Sequence, residues 1–157
     1  MSTLELFKAI QTSDFSRLIG SQNHLFCATA QLFHIAGLIL LLASIVLVSI
    51  RLLGIGLPNQ SLPQLAKATK WLVWTGLGLL TVSGIVIFVP AATNYEPNFF
   101  FWSKFILLAA ALVVHVTLYR KITTSETPNP LIAKTTAVLS LTLWFSVAFA
   151  GRFIGFF

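Results

Sequence analysis

Long apolar runs separated by short polar segments dominate this chain. The four runs are Leu25–Leu53, Trp71–Pro90, Phe99–Tyr119 and Leu131–Phe157. Each is about 20 residues or longer, and a helix of that length, rising 1.5 Å per residue, crosses about 30 Å of hydrocarbon. The pattern predicts an all-α polytopic membrane protein with four transmembrane helices.

Residues 2–20 show a different pattern, in which apolar side chains such as Leu4, Phe7 and Ile10 alternate with charged ones. Thr3 and Ser13 are predicted to cap two short helices there. An amphipathic segment lying on the membrane fits this pattern. The first apolar run is about 29 residues long, against 7–15 for the apolar part of a signal peptide, so we expect no cleaved signal peptide.

The connections between the apolar runs are short and contain proline and asparagine, as turns do. They comprise residues 54–70, 91–98 and 120–130. Short connections place consecutive helices side by side in opposite directions. We therefore expect residues 1–157 to form one membrane domain, an up-down-up-down four-helix bundle with an amphipathic N-terminal segment.

Lysine and arginine concentrate beside the first and third connections. The cations there are Arg51, Lys67, Lys70, Arg120, Lys121 and Lys134, whereas the other side has Lys8, Arg17, Lys104 and Arg152. Because loops facing the cytoplasm are richer in lysine and arginine, the first and third connections are predicted to be cytoplasmic, and both termini to lie on the opposite side.

Composition supports the membrane interpretation and excludes several functions. The chain is 57% apolar and only 9% charged, against about 25% charged residues in soluble domains. The net charge of +6 comes from cations scattered at the ends of apolar runs, so no nucleic-acid partner is expected. Cys27 is the only cysteine, which excludes an intrachain disulfide and a CxxC metal site and favours a simple packing role.

Two histidines, His34 and His115, lie inside apolar runs and are the candidate metal or haem ligands. The four acidic residues all lie outside the runs, at Glu5, Asp14, Glu96 and Glu126. No paired carboxylates, phosphate-binding loop or catalytic triad is visible. Hydrolase and transferase activities are therefore not expected, and a redox role is the most that the residues indicate.

His34 is the deeper of the two histidines, about 9 residues or 13 Å into the first run. A buried polar group must find a hydrogen-bond partner, and ionisable groups within membranes tend to serve function. Three interpretations stay open: a hydrogen bond to a neighbouring helix, a haem or metal ligand, and a proton-relay or quinone site.

His115 lies only about 7 Å from the predicted cytoplasmic end of the third run, where it could reach headgroups or the first connection. The two histidines therefore differ in depth by about 18 Å, too much for the two axial ligands of one haem. His24 lies about 15 Å from His34 on the same helix, and the only methionine is Met1. A haem on His34 would be five-coordinate or would use a second subunit.

Two cations strengthen the haem interpretation of His34. Lys104 and Arg152 lie near the same membrane face as His34, and both are able to pair with haem propionates. Two alternatives are a lysine that pairs with Glu96 or extends to the surface, and an arginine at the level of the headgroups.

The order of several short motifs resembles a family of uncharacterised four-helix proteins of the bacterial inner membrane, which distantly resembles CopD copper-resistance proteins and cytochrome b561. The motifs are His34–Gly37, Ser49–Gly54, Phe101–Lys104, Ser140–Trp144 and Gly151–Ile154. Where the family pattern has an acidic residue two places before Arg51, this chain has Ser49. The resemblance implies a location in the inner membrane and directs attention to His34, Arg51, Lys104 and Arg152. In that membrane, the lysine and arginine bias predicts periplasmic termini.

The leading hypothesis is a membrane protein that binds b-type haem through His34, holds the propionates with Lys104 and Arg152, and transfers electrons. Its partners would be the lipid bilayer and copies of itself or other membrane subunits. The second hypothesis is a cofactor-free assembly subunit. Copper handling ranks last, because a single thiol without a methionine cluster suits Cu(I) poorly.

Overall fold

The computed structural model describes residues 2–125 and 128–156, which leaves Glu126 and the predicted last span residue Phe157 outside the described part. These residues form helices and turns, without a β-strand among them. Four segments are long and apolar enough to cross a membrane: His24–Leu53, Leu62–Tyr95, Phe99–Thr123 and Pro130–Phe153. The predicted all-α class and the four membrane-length helices are confirmed.

Two short helices, α1 (Thr3–Gln11) and α2 (Asp14–Gly20), precede the long ones. Ser13 caps α2, as predicted, by accepting a hydrogen bond from the Ser16 amide. The prediction that Thr3 caps α1 was wrong by one residue. Ser2 is the cap, because its hydroxyl accepts from the Glu5 amide while the Glu5 carboxylate accepts from the Ser2 amide. This reciprocal pair satisfies two amides that a helix start leaves open.

The first two long helices are α3 (His24–Leu53) and α4 (Leu62–Phe88). α3 ends at Gly54, whose φ of +77° suits a residue without a Cβ. α4 starts nine residues before the predicted Trp71, with Pro63 in its first turn. Proline has a preset φ and no amide to satisfy there. Lys67 and Lys70 therefore belong to a helix and not to the connection.

A 3₁₀ turn (Val89–Ala91) and α5 (Ala92–Tyr95) lead to α6 (Phe99–Val114). A π-helical turn over His115–Tyr119 and the short α7 (Arg120–Thr123) extend α6 beyond the predicted end at Tyr119. The last long helix is α8 (Pro130–Phe153). Asn98 and Asn129 cap α6 and α8 by accepting hydrogen bonds from amides of the first turn.

The long helices pack as two antiparallel pairs joined through α3 and α8. α3 packs against α4, α6 packs against α8, and α3 also packs against α8. Residues from the start of α3 meet the end of α4, and Asn98 at the start of α6 donates to the Ile154 carbonyl beyond α8. We call this end, where α8 finishes, the terminal end, and the opposite end, which carries the α3–α4 connection, the loop end. The direction of each helix across a bilayer stays a prediction.

The bundle core is apolar and tightly packed at its centre. Leu41, Ile45 and Val48 of α3 and Trp144 of α8 are at most 2% exposed. Outside this core many large side chains are exposed, including Leu32, Val82, Ile106 and Phe149 at 62–71%. Such continuous apolar exposure is typical of surfaces that face lipid. The four helices are thus compatible with a multi-pass membrane protein.

The N-terminal segment packs over the terminal end of the bundle. Phe7 lies in an aromatic cluster with Phe88, Phe101 and Trp102, at centroid distances of 5.4, 6.1 and 5.9 Å. The Gln11 side chain accepts hydrogen bonds from the Thr93 amide (2.9 Å) and hydroxyl (2.6 Å). This segment therefore closes the end of the bundle that contains His34, and its position in a membrane interface stays a prediction.

Candidate functional site

The candidate site starts from a close contact between glycines of α3 and α4. A methyl group added at Gly76 would lie 2.6 Å from the carbonyl oxygen of Gly37, and one added at Gly37 would lie 2.8 Å from that of Gly76. Only residues without a Cβ let two helix backbones approach so closely. Gly37 follows His34 by three residues, so the helix face that meets α4 also presents the histidine.

His34 is held by a hydrogen bond to the neighbouring helix. Its Nδ1 lies 2.9 Å from the Ser83 hydroxyl, and the same hydroxyl donates to the Leu79 carbonyl of its own helix. Because the single Ser83 proton goes to Leu79, its oxygen accepts from His34, and this network assigns the imidazole proton to Nδ1. The Nε2 atom then carries no proton and keeps its lone pair, which is the form in which imidazole binds metals.

Among the described residues, Lys104 supplies the positive charge that acts electrostatically on the His34 imidazole. Its chain lies along Gly151 of α8, where an added methyl group would be 3.3 Å from Nζ. In the described part of the chain the one ion pair joins Arg17 to Asp14. Lys104 therefore has no carboxylate partner there, and the predicted alternative of a pair with Glu96 is not formed.

Arg152 follows Gly151 but points elsewhere. Its guanidinium lies 4.7 Å from the centre of the Phe156 ring, and the side chain is exposed. Consecutive residues on a helix are about 100° apart, so a lysine lying on Gly151 and an arginine at the next position face different surroundings. The structure thus places His34 within electrostatic reach of Lys104, whereas Arg152 lies near the same end and contacts an aromatic ring.

His115 occupies a second cluster nearer the loop end, and its predicted reach to headgroups stays a prediction. It begins the π-helical turn, its ring stacks on Tyr119 at 4.7 Å, and Trp144 meets it edge-on at 6.3 Å. Five buried polar atoms in this half have no hydrogen-bond partner in the described residues: Ser49 Oγ, His115 Nδ1, Tyr119 Oη, Ser140 Oγ and Trp144 Nε1. We call these five residues the unpartnered cluster.

The two histidines have separate surroundings, as their predicted difference in depth requires. His34 contacts Ser83 and Gly84, whereas His115 contacts Tyr119 and Trp144. Within the described residues, no three histidine, cysteine or acidic side chains come together to hold a metal ion. A metal site would therefore need a group that brings its own ligands, as the porphyrin of haem does.

An apolar groove of about 270 Å³ runs beside the His34 site. Phe26, Ala30 and Phe33 of α3 face Leu79, Val82 and Val86 of α4 across it. Ser83 also lines the groove while it holds the imidazole. The hydrogen bond that fixes His34 therefore lies next to a surface suited to an apolar ligand or a lipid chain.

Sequence reasoning singled out His34 and Lys104 as candidates but did not identify Ser83 and Gly84, which contact His34. Ser83 and Gly84 follow Gly76 by seven and eight residues, which places all three on one face of α4. The spacing of Gly76 and Gly84 in the sequence shows that they share one helix face, but it does not show which helix packs against that face. In the segment Gly151–Gly155, Gly151 lies against the Lys104 side chain of α6, and Gly155 lies beyond the end of α8.

Comparison with known proteins gives a family without a known activity. Residues 6–157 match the model of a family of unknown function, DUF6644. No curated protein shows a significant match to the chain, and no solved structure does either.

Proposed function

We propose a function for this chain from the premise that it belongs to the DUF6644 family, a family of unknown function. We infer that it is a multi-pass membrane protein that binds b-type haem through His34 and takes part in electron transfer. One observation carries the proposal. Ser83 holds Nδ1 of His34, which leaves the lone pair on Nε2, and Lys104, which has no carboxylate partner among the described residues, acts on the imidazole through its charge.

The donor set fits haem better than it fits a bare metal ion. A haem-ligating histidine binds iron through one ring nitrogen and usually donates the other N–H to an oxygen, which fixes its orientation. His34 has this arrangement, with Ser83 as the acceptor. Haem needs only one or two protein ligands because the porphyrin supplies four, whereas copper would need a ligand cluster that the described residues do not contain.

The Lys104 ammonium, which has no carboxylate partner among the described residues, suits the propionate groups of a haem. An ammonium group within a membrane is costly unless it meets an anion, and a propionate would supply one. Arg152 is the second cation in this proposal, although it would have to leave the Phe156 ring. When bound, the haem iron would supply one-electron redox chemistry, and the chain's part would be to hold the iron and neutralise the propionates.

The assignment of electron transfer, of the bacterial inner membrane and of periplasmic termini rests on the sequence. The motif order resembles that of uncharacterised bacterial inner-membrane proteins that are distantly similar to CopD and cytochrome b561, which favours electron transfer in that membrane. The bias of lysine and arginine toward the first and third connections favours periplasmic termini. Without an interior methionine or a second histidine at the depth of His34, the haem would be five-coordinate or shared between two copies of the chain. A homo-oligomer or a larger membrane complex is therefore part of the proposal.

The test is the absorption spectrum of the purified chain after expression with a haem precursor. We expect a Soret band with up to one haem per chain, its loss in His34→Ala, and its retention in the matched variant His115→Ala. Lys104→Gln should weaken haem retention without abolishing the band. A wild-type protein without a Soret band, or unchanged haem content in His34→Ala, would overturn the proposal.

The second candidate function is a cofactor-free assembly subunit, and the same hydrogen bond favours it. The bond between His34 and Ser83 joins α3 to α4, which is the whole role of the histidine in this case. His34→Asn keeps a side-chain donor, so it should retain stability and partner binding if the role is structural. Under the haem proposal the same variant folds but loses the Soret band.

A further inference from the structure

A large cavity with a mixed polar and apolar lining lies at the loop end, where the α3–α4 connection meets the start of α8. Its volume is about 760 Å³, and its lining includes Arg51, Ser61, Gln64 and Lys134. Arg51 is 17 residues from His34 along α3, a distance of about 25 Å. The cavity is therefore separate from the His34 site and is untouched by the proposed function.

Two cations line this cavity without an acidic neighbour among the described lining residues. The Arg51 Nε donates to the Gln60 carbonyl at 2.8 Å, which fixes the guanidinium against the connection. A guanidinium has five N–H donors, so four remain for another acceptor. Lys134 faces the cavity from α8. The carboxylate nearest in sequence, that of Glu126, belongs to a residue outside the described part.

The start of α4 adds donors to the same cavity. Ser61, the residue before this 27-residue helix, forms no capping hydrogen bond with its side chain. By contrast, Ser13, Asn23, Asn98 and Asn129 all cap their own helices. The Ser61 hydroxyl and the Leu62 and Gln64 amides are therefore left without a side-chain cap, since Pro63 has no amide N–H and the Leu65 amide donates to the Ser61 carbonyl. An uncapped helix start carries partial positive charge and favours an anion.

We infer that this cavity binds the phosphate group of an anionic phospholipid. Arg51 supplies paired N–H donors that suit phosphate oxygens, Lys134 supplies a second charge, and the start of α4 supplies neutral donors. The cavity lies where two candidate membrane spans, α3 and α8, have their ends. Lipid phosphates lie just outside the hydrocarbon core, so a headgroup is the anion held at this level.

The experiment measures binding of dioleoylphosphatidylglycerol to the full chain by native mass spectrometry in mixed micelles with phosphatidylcholine. Each cation near a phosphate contributes roughly 1 kcal/mol, or about fivefold in affinity. Arg51→Gln with Lys134→Gln should therefore weaken phosphatidylglycerol binding by about 25-fold. The matched pair Arg120→Gln with Lys121→Gln removes the same charge from exposed residues outside the cavity lining and should change binding by about twofold or less.

The single variant Lys134→Gln keeps the test informative if the double variant misfolds, because Lys134 is exposed. It should weaken phosphatidylglycerol binding by about fivefold. Equal losses in the two double variants would show that only net charge matters and would overturn the site. Inorganic phosphate is the second probe, and we expect it not to displace the lipid from the wild type. Displacement would overturn the assignment to a lipid headgroup in favour of free phosphate.

Discussion

The surroundings of His34 and His115 show two ways in which one bundle accommodates a histidine among apolar side chains. His34 donates to Ser83, which donates in turn to Leu79, so each proton in that short chain has an acceptor. His115 stacks on Tyr119 and meets Trp144, but its Nδ1, the Tyr119 hydroxyl and the Trp144 indole N–H have no partner in the described residues.

The difference follows from how closely the helices approach at each level. Near His34, α3 and α4 touch through Gly37 and Gly76, which brings a histidine within hydrogen-bond distance of a serine. Around His115, the large Trp144 and Tyr119 rings fill the interface, and the helix departs from α geometry in a π-helical turn. A π turn often marks a functional position or a place where packing disturbs the helix. Small residues thus allow polar pairing, and large rings prevent it.

Gly76→Ala is expected to have the largest effect, because it disturbs the close helix contact that distinguishes the surroundings of His34 from those of His115. The new methyl group would lie 2.6 Å from the Gly37 carbonyl oxygen and 2.9 Å from the Leu41 amide nitrogen, so α3 and α4 must separate. Overpacking of this kind costs about 1–3 kcal/mol of unfolding free energy, and it should also break the His34–Ser83 bond. Denaturant unfolding in micelles measures the loss. Gly78→Ala is the control, because nothing lies within 4 Å of its added methyl group, and a result equal to Gly76→Ala would contradict the close contact.

Ser83→Ala tests the hydrogen-bonded half of the comparison alone. It removes the acceptor of the His34 N–H while leaving the helix contact intact, and interhelical side-chain bonds in membranes contribute about 1 kcal/mol. We expect unfolding free energy to fall by about that amount in the same micelle assay. Ser103→Ala serves as the comparison variant, since its hydroxyl bonds only to the Phe99 carbonyl of its own helix. Equal stability of Ser83→Ala and the wild type would remove the argument for a fixed imidazole.

Apolar run length was enough to predict the class and number of the long helices, because spanning a membrane demands about 20 apolar residues. The ends were harder to predict. Lys67 and Lys70 made the start of α4 look like a connection, but Pro63 begins the helix earlier, and long lysine side chains can extend to the surface from within a helix. Ser13 was readable as a cap, whereas the cap of α1 was misplaced at Thr3, since neighbouring hydroxyl residues look alike in sequence.

The site was only half predictable for a different reason. Depth along a helix comes from counting residues, so the separation of His34 from His115 could be argued in advance. The partner on another helix could not be, because Ser83 becomes the acceptor only through the way α3 and α4 cross at Gly37 and Gly76. The unpartnered cluster was also invisible in sequence, since most hydroxyls within helices bond to a carbonyl one turn earlier. Thr29, Thr81 and Thr117 do so here, but Ser49 and Ser140 do not.

Ser140→Ala is predicted to have the smallest effect on unfolding free energy. It contrasts with Ser83→Ala, because the same substitution should stabilise the protein slightly or leave it unchanged at Ser140 and destabilise it at Ser83. The Ser140 hydroxyl is buried, 1% exposed, and has no partner in the described residues. Replacing an unpaired buried polar group with an apolar one removes its desolvation cost and loses no bond. Unfolding free energy should stay the same or rise by less than about 1 kcal/mol.

Ser44→Ala is the matched control, since Ser44 is also 1% exposed but donates to the Thr69 carbonyl at 3.1 Å, and it should lose stability. A loss in Ser140→Ala equal to that of the control would show that the hydroxyl has a bonding partner after all, and the contrast between Ser140 and Ser83 would then fail.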